Sequence, residues 1–265
     1  MITSTRNPKI KDIRRLQARS KARRERKAFI IEGVRLLEEA LRHDQTPELI
    51  IHTRDLDERG LTLIDSFKER GALIEPVSEE VFQQASDTET PQGILAVIPL
   101  PAPERSRPVD FLVVTDQIRD PGNLGTILRS AAAAGVDQLL MPPGTVDAFA
   151  PKVVRAGMGA HFQPSPASTS WQDIRRRVQG LTVFTADAHQ GIPCWEADFS
   201  QPSALIIGSE AHGPGEQARR LTDTWVHIPM PGRAESLNAG VALAVLLFEV
   251  VRQRHYGGQG GKISS

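Results

Sequence analysis

Apolar residues in the first hundred positions switch between two rhythms, one of period near 3.6 and one of short continuous runs. Ile10, Ile13 and Leu16 fall at helical spacing, with Asn7 before them as a cap and Pro8 at the first helical position. Phe29-Ile30-Ile31 predicts a short strand, and Leu36, Leu37, Ala40 and Leu41 predict the helix after it. The alternation continues with strand 49–51, helix 61–70 closed by Gly71, strand 72–75, helix 79–85 and strand 94–98. Residues 1–98 therefore form a small α/β unit. Residues 99–108 hold four prolines and read as a linker. Beyond them Phe111-Leu112-Val113-Val114-Thr115 is a nearly unbroken apolar strand, the pattern of a strand buried on both faces. Further strands are expected at 138–141, 182–185, 204–207 and 226–228, and a long helix over 236–254. Along that helix Leu237, Val241, Ala244, Val245, Phe248 and Val251 share a face. Residues 109–256 thus read as a mostly parallel α/β domain, followed by a Gly/Ser-rich tail, 257–265, expected to be mobile.

Composition narrows the function classes. Among 265 residues 40% are hydrophobic, enough to build a packed core. No apolar run approaches the roughly 18–20 residues that a membrane helix needs, and residues 1–27 lack the apolar stretch of a secretory leader. Cys194 is the only cysteine, which excludes an internal disulfide and a multi-cysteine zinc site. A soluble cytoplasmic protein without a metal is the expectation. The net charge of zero hides a segregation: residues 1–30 carry +9, so the remainder carries −9. A basic arm beside an acidic body suits a polyanionic partner of a kind that charge alone does not name, and Arg14, Arg15, Arg23, Arg24, Lys27 and Arg35 are the candidate contacts to it.

In parallel sheets ligands bind beyond the carboxyl ends of the strands, and three strand ends here carry unusual strings. After strand 111–115, Pro121-Gly122 makes a turn, Asn123 is placed to cap a helix, and Arg129 interrupts that alanine-rich helix. An arginine buried there would need a partner, whether a structural ion pair or a ligand. After strand 204–207 comes Gly208-Ser209-Glu210-Ala211-His212-Gly213-Pro214-Gly215, where Glu210 is either a ligand group or a carboxylate favoured by a helix dipole. This is neither a Walker A loop, nor a dinucleotide fingerprint, nor a nucleophile elbow. The third string, Ile228-Pro229-Met230-Pro231-Gly232 through Ser236-Leu237-Asn238, enters the last helix with Ser236 as its natural cap.

Together these strings resemble the SpoU (TrmH-type) family of RNA ribose 2′-O-methyltransferases within the SPOUT superfamily. Asn123, Gly125 and Arg129 match its first motif. Gly208, Glu210 and Gly213 match the second, and Ile228, Pro229, Met230, Gly232, Ser236, Leu237 and Asn238 the third. Asn7-Pro8 and Phe29 to Arg35 are similar to the family's substrate-binding domain. Ala132, Ala134, Ser209 and Pro214 depart from its common residues without removing one to which it assigns chemistry. The resemblance implies a trefoil-knotted C-terminal domain, a homodimer, and S-adenosylmethionine as cofactor. It implies Gly208, Ser209, Ile228, Pro229, Met230 and Leu237 as the cofactor-binding residues, and Asn123, Arg129, Glu210, Ser236 and Asn238 as the catalytic set. Large-subunit ribosomal RNA is the first substrate expected and tRNA the second. An RNA-binding protein with an inactive methyltransferase domain, or a nicotinamide-dependent enzyme lacking its fingerprint, are the rivals.

Overall fold

The computed structural model describes residues 1–101, 109–233 and 235–256. Most of the expected linker (102–108) and the expected mobile tail (257–265) lie outside the described residues. The chain divides into two compact units, one formed by 1–102 with 147–162 and the other by 103–146 with 163–265.

The first unit opens with α1 (Pro8–Ala18), whose cap is Asn7: its side chain accepts from Lys9 N at 2.9 Å, as the Asn-Pro start predicts. Ile10, Ile13 and Leu16 are its buried stripe. After α2 (Ser20–Arg26) come β1 (Ala28–Glu32), α3 (Val34–Arg42), β2 (Leu49–His52), α4 (Glu58–Glu69), β3 (Leu73–Pro76), α5 (Glu79–Ala85) and β4 (Ile94–Pro99). The four strands form a mixed sheet in the order β1-β4-β2-β3, in which only β2 and β3 run parallel. Alternate residues feed two cores. Ile30, Ile51, Leu95 and Val97 face the stripe of α1, while Phe29, Ile31, Ile50 and Ile98 meet Leu37 and Phe67.

The second unit begins with β5 (Phe111–Thr115), buried along its whole length, and α6 (Pro121–Ala133), then β6 (Gln138–Met141). The chain then leaves for α7 (Pro151–Gly157), which packs against β1. Segment 147–162, read in sequence as part of the second domain, belongs to the core of the first: Val154 and Phe162 join Phe29 there. Its apolar residues are too few and too interrupted to announce that partner. On return the chain forms β7 (Pro166–Ser168), α8 (Trp171–Arg177), β8 (Thr182–Ala186), β9 (Ile192–Pro193), β10 (Ser203–Ile207), α9 (Glu216–Arg219), β11 (Thr224–His227) and α10 (Ala239–Tyr256). All neighbours in the seven-stranded sheet are parallel, in the order β7-β6-β5-β10-β8-β11-β9. β10 sits between β5 and β8, so the carboxyl ends of β5, β10, β8 and β11 are gathered side by side at the middle of the sheet.

The last helix departs from its expected form. It starts at Ala239 rather than 236, and it packs along α6. Its buried face is Leu243, Leu246, Leu247 and Val250, whereas Val241, Val245 and Phe248 of the expected apolar face are 46%, 41% and 51% exposed. A helix with apolar residues on two faces gives periodicity no single stripe to find.

Candidate active site

The start of α6 decides what Asn123 can do. Asp120, not Asn123, caps the helix, its Oδ1 accepting from Asn123 N at 2.8 Å. Asn123 is thereby set in the first turn with its amide free to reach across. At α10 the cap is Asn238 rather than Ser236: its Oδ1 accepts from Gly240 N at 3.0 Å and Val241 N at 3.2 Å. An amide whose oxygen is fixed on helix N–H groups must turn its nitrogen the other way. Asn238 Nδ2 accordingly donates to Asn123 Oδ1 at 2.7 Å. That contact orients the second amide, and Asn123 Nδ2 donates to Glu210 Oε1 at 2.8 Å. The same Oε1 accepts from Ala239 N, also at 2.8 Å, so Glu210 closes a ring of contacts between the two helix starts. The backbone of α10 thus assigns both asparagine orientations.

The loop that carries Glu210 folds back tightly. Gly213 N donates to Ser209 O at 2.8 Å, and a Cβ on Gly208 would lie 2.3 Å from the Gly213 carbonyl carbon, so position 208 admits glycine alone. At the loop's far end Gly215 N donates to Asp116 Oδ2 at 2.7 Å. Asp116 is buried at the end of β5. Desolvation pushes its carboxyl above the usual range, and the Gly215 N–H opposes that shift.

Beside this network lies a cavity of about 450 Å³. Val226, Ile228, Met230, Leu237 and Leu246 give it an apolar wall, and Gly208, Ser209 and Glu210 a polar one. Of the expected cofactor residues, Gly208, Ser209, Ile228, Met230 and Leu237 line it, while Pro229 does not. Ser236 also lines it, without the capping role expected of it. The structure joins Asn123 to both Glu210 and Asn238, and Ala239 N closes the ring onto Glu210. Arg129 stays outside: it is exposed, its side chain has no hydrogen bond or ion pair among the described residues, and it lies six residues past Asn123, about 120° around the helix. It is therefore not the buried group that the alanine-rich context suggested.

Two residues escaped sequence reasoning. Asp187 and His189, in the loop after β8, line the same cavity. Applying the strand-end rule to β8 as well as to β5, β10 and β11 would have flagged them.

In the first unit Arg14, Arg15, Arg24, Lys27 and Arg35 are exposed. Arg23 is a correction to the basic face. It is 5% exposed, its Nε and Nη2 donate to Asp147 Oδ2 at 2.9 and 2.6 Å, and its Nη1 donates to the carbonyls of Leu16 and Gln17. Periodicity could not show this, because its partner lies 124 residues away. Among the described residues no group of three or more His, Cys, Asp or Glu could hold a metal, and no helix is long and apolar enough to cross a membrane.

Comparison with known proteins identifies the family of both units. The model of the SpoU rRNA Methylase family matches residues 110–248, and that of the MRM3-like substrate binding domain matches 7–96. The chain is 36% identical over 251 residues to a 23S rRNA (guanosine(2553)-2′-O)-methyltransferase of Bacillus subtilis, covering 94% of this chain and 98% of that one. It is 33% identical over 240 residues to a 23S rRNA (uridine(2479)-2′-O)-methyltransferase of Streptomyces viridochromogenes, covering 85% and 83%. The crystal structure of an S-adenosylmethionine-bound rRNA methyltransferase from Sinorhizobium meliloti superposes with a TM-score of 0.83 at 30% identity, covering 96% of this chain and 97% of that one. With two motif-bearing helix starts joined through Glu210 and a family model spanning most of the second unit, this chain belongs to the SpoU rRNA methylase family.

Proposed function

We propose that the protein transfers a methyl group from S-adenosylmethionine to a ribose 2′-hydroxyl of large-subunit ribosomal RNA. The observation that carries this reading is the Asn123–Glu210–Asn238 ring at the strand ends, directly beside the cavity. The cavity fits the cofactor's chemistry: an apolar wall for a flat base, and a loop whose glycines bring backbone N–H and C=O groups to the surface. When bound, the cofactor supplies an electrophilic methyl group on a sulfonium.

The chain's own residues supply position and charge. Only Oε1 of Glu210 is engaged within the ring, which leaves Oε2 as an acceptor for the incoming hydroxyl. Its orientation is inherited from α10 through the two amides, so the hydroxyl is held for in-line attack at little entropic cost. In the homodimer of this reading Arg129, which lies outside its own chain's ring, binds an RNA phosphate beside the reacting ribose and stabilises the developing alkoxide. A guanidinium with pKa above about 12 does not act as a base.

The reading includes a homodimer and the family's trefoil knot. The exposed stripe of Val241, Val245 and Phe248 on α10 supports the dimer, since a second copy would cover it. Arg14, Arg15, Arg24, Lys27 and Arg35 are assigned to RNA, supported by their exposure and by the match of their domain to a substrate-binding model. Two relatives are named for a guanosine and a uridine target, so the ribose hydroxyl rather than the base is what their targets share. The test is transfer of labelled methyl groups to unmodified large-subunit rRNA and, separately, to tRNA. Label confined to the rRNA is expected; label confined to tRNA would overturn the substrate.

A further inference from the structure

We infer that Asp187 recognises the ribose diol of the bound nucleoside, making the loop after β8 a third, side-chain-based wall of a site otherwise built from two backbone-rich loops. This rests on the cofactor reading above. β8 lies between β10 and β11 in the sheet, so its carboxyl end opens onto the cavity that the loops after those strands enclose. Asp187 is the first residue past β8, half-buried, and on the cavity wall. Its conformation is set from its own loop: Oδ1 accepts from His189 N at 2.9 Å and Oδ2 from Gln190 Nε2 at 3.2 Å. Across the cavity wall Oδ2 approaches the position where a Cβ on Gly213 would stand, at 3.9 Å, so the carboxylate meets the folded-back loop of Glu210.

Each carboxylate oxygen can accept a further bond, and a carboxylate offers acceptors only. The nucleoside half of the cofactor has one feature matched to that pair, two vicinal hydroxyl donors side by side. A carboxylate at a strand end performs the same service for the ribose of dinucleotides in other parallel sheets. The base instead suits the apolar wall of Ile228, Met230 and Leu237. The competing use of Asp187, attraction of the cofactor's ammonium or sulfonium charge, makes a different prediction about ligands that lack those groups.

Calorimetric dissociation constants separate the two. S-adenosylhomocysteine, 5′-methylthioadenosine and 2′,3′-dideoxy-5′-methylthioadenosine are titrated into the full-length protein and into its Asp187→Asn variant. The variant keeps an oxygen to accept from His189 N, and an unchanged melting temperature verifies its loop. Asp187→Asn should weaken the first two ligands by about tenfold, the loss of hydrogen bonds to a charged acceptor, and leave the dideoxy ligand bound equally by both proteins. Equal loss for the dideoxy ligand, or loss for S-adenosylhomocysteine alone, overturns the diol assignment, as does unchanged binding of all three. Failure of the wild-type protein to bind S-adenosylhomocysteine overturns the cofactor reading itself and the assignment with it.

Discussion

Arg23 in the first unit and Arg129 in the second are helix-borne guanidiniums in opposite surroundings. Arg23 is buried, with Asp147 and two backbone carbonyls taking its donors, so its charge holds segment 147–162 to α1 and α2. Arg129 stands exposed on α6 with no side-chain partner among the described residues, so its five donors are open to solvent. In the function proposed above, it is the unpaired donors of Arg129, more than the local charge density, that suit it to chemistry. The difference also predicts that the two residues fail in different currencies, one in stability and the other in rate.

The largest effect should come from Arg23→Met, which strands the Asp147 carboxylate. About 3–5 kcal/mol of stability should be lost, read from urea unfolding, and Arg23→Met with Asp147→Leu should recover most of it. Arg129→Ala should leave the melting temperature unchanged and lower kcat by about 10²–10³-fold, the usual consequence of losing one electrostatic donor at developing charge. Arg129→Lys, which keeps charge without the planar fork, should fall between. A large loss of stability in either Arg129 variant would erase the contrast.

A second burial in the first unit sharpens it. His161 is fully buried, its Nε2 donates to Ala148 O at 2.7 Å, and its Nδ1 has no partner among the described residues. Desolvation lowers its pKa from 6.5 to about 4. Between those values the unfolded chain binds a proton that the fold refuses, so stability falls as pH drops through that window. Up to about 3 kcal/mol is at stake. His161→Gln should flatten the pH dependence of urea unfolding between pH 7 and 4.5. The smallest effect distinguishes the two asparagines. Asn238→Ala removes a helix cap and should cost about 1 kcal/mol of stability as well as activity, whereas Asn123→Ala should lose activity with little change in melting.

The elements most legible in the sequence were those whose pattern is local. Asn7-Pro8 announced α1, and the unbroken run Phe111–Thr115 announced a strand buried on both faces. The site's strings were legible because strand ends in a parallel sheet concentrate glycine, proline and polar residues. What escaped depends on distant partners. Nothing near Arg23 reveals Asp147, and nothing near Phe162 reveals Phe29. The caps were misplaced for a physical reason: Asp120 and Asn238 compete with Asn123 and Ser236 for the same role, and only the fold shows which amide is left to face Glu210.

In the proposed reaction the Asn123–Glu210–Asn238 ring presents a ribose hydroxyl, and no base atom, to the methyl donor. This assignment is tested most directly by nucleoside mass spectrometry of large-subunit rRNA after incubation with the protein and labelled S-adenosylmethionine. One 2′-O-methylated nucleoside is expected, its 3′ linkage resistant to alkaline cleavage and its label absent with the Asn123→Ala variant; label on a base, or undiminished label from that variant, would refute the assignment.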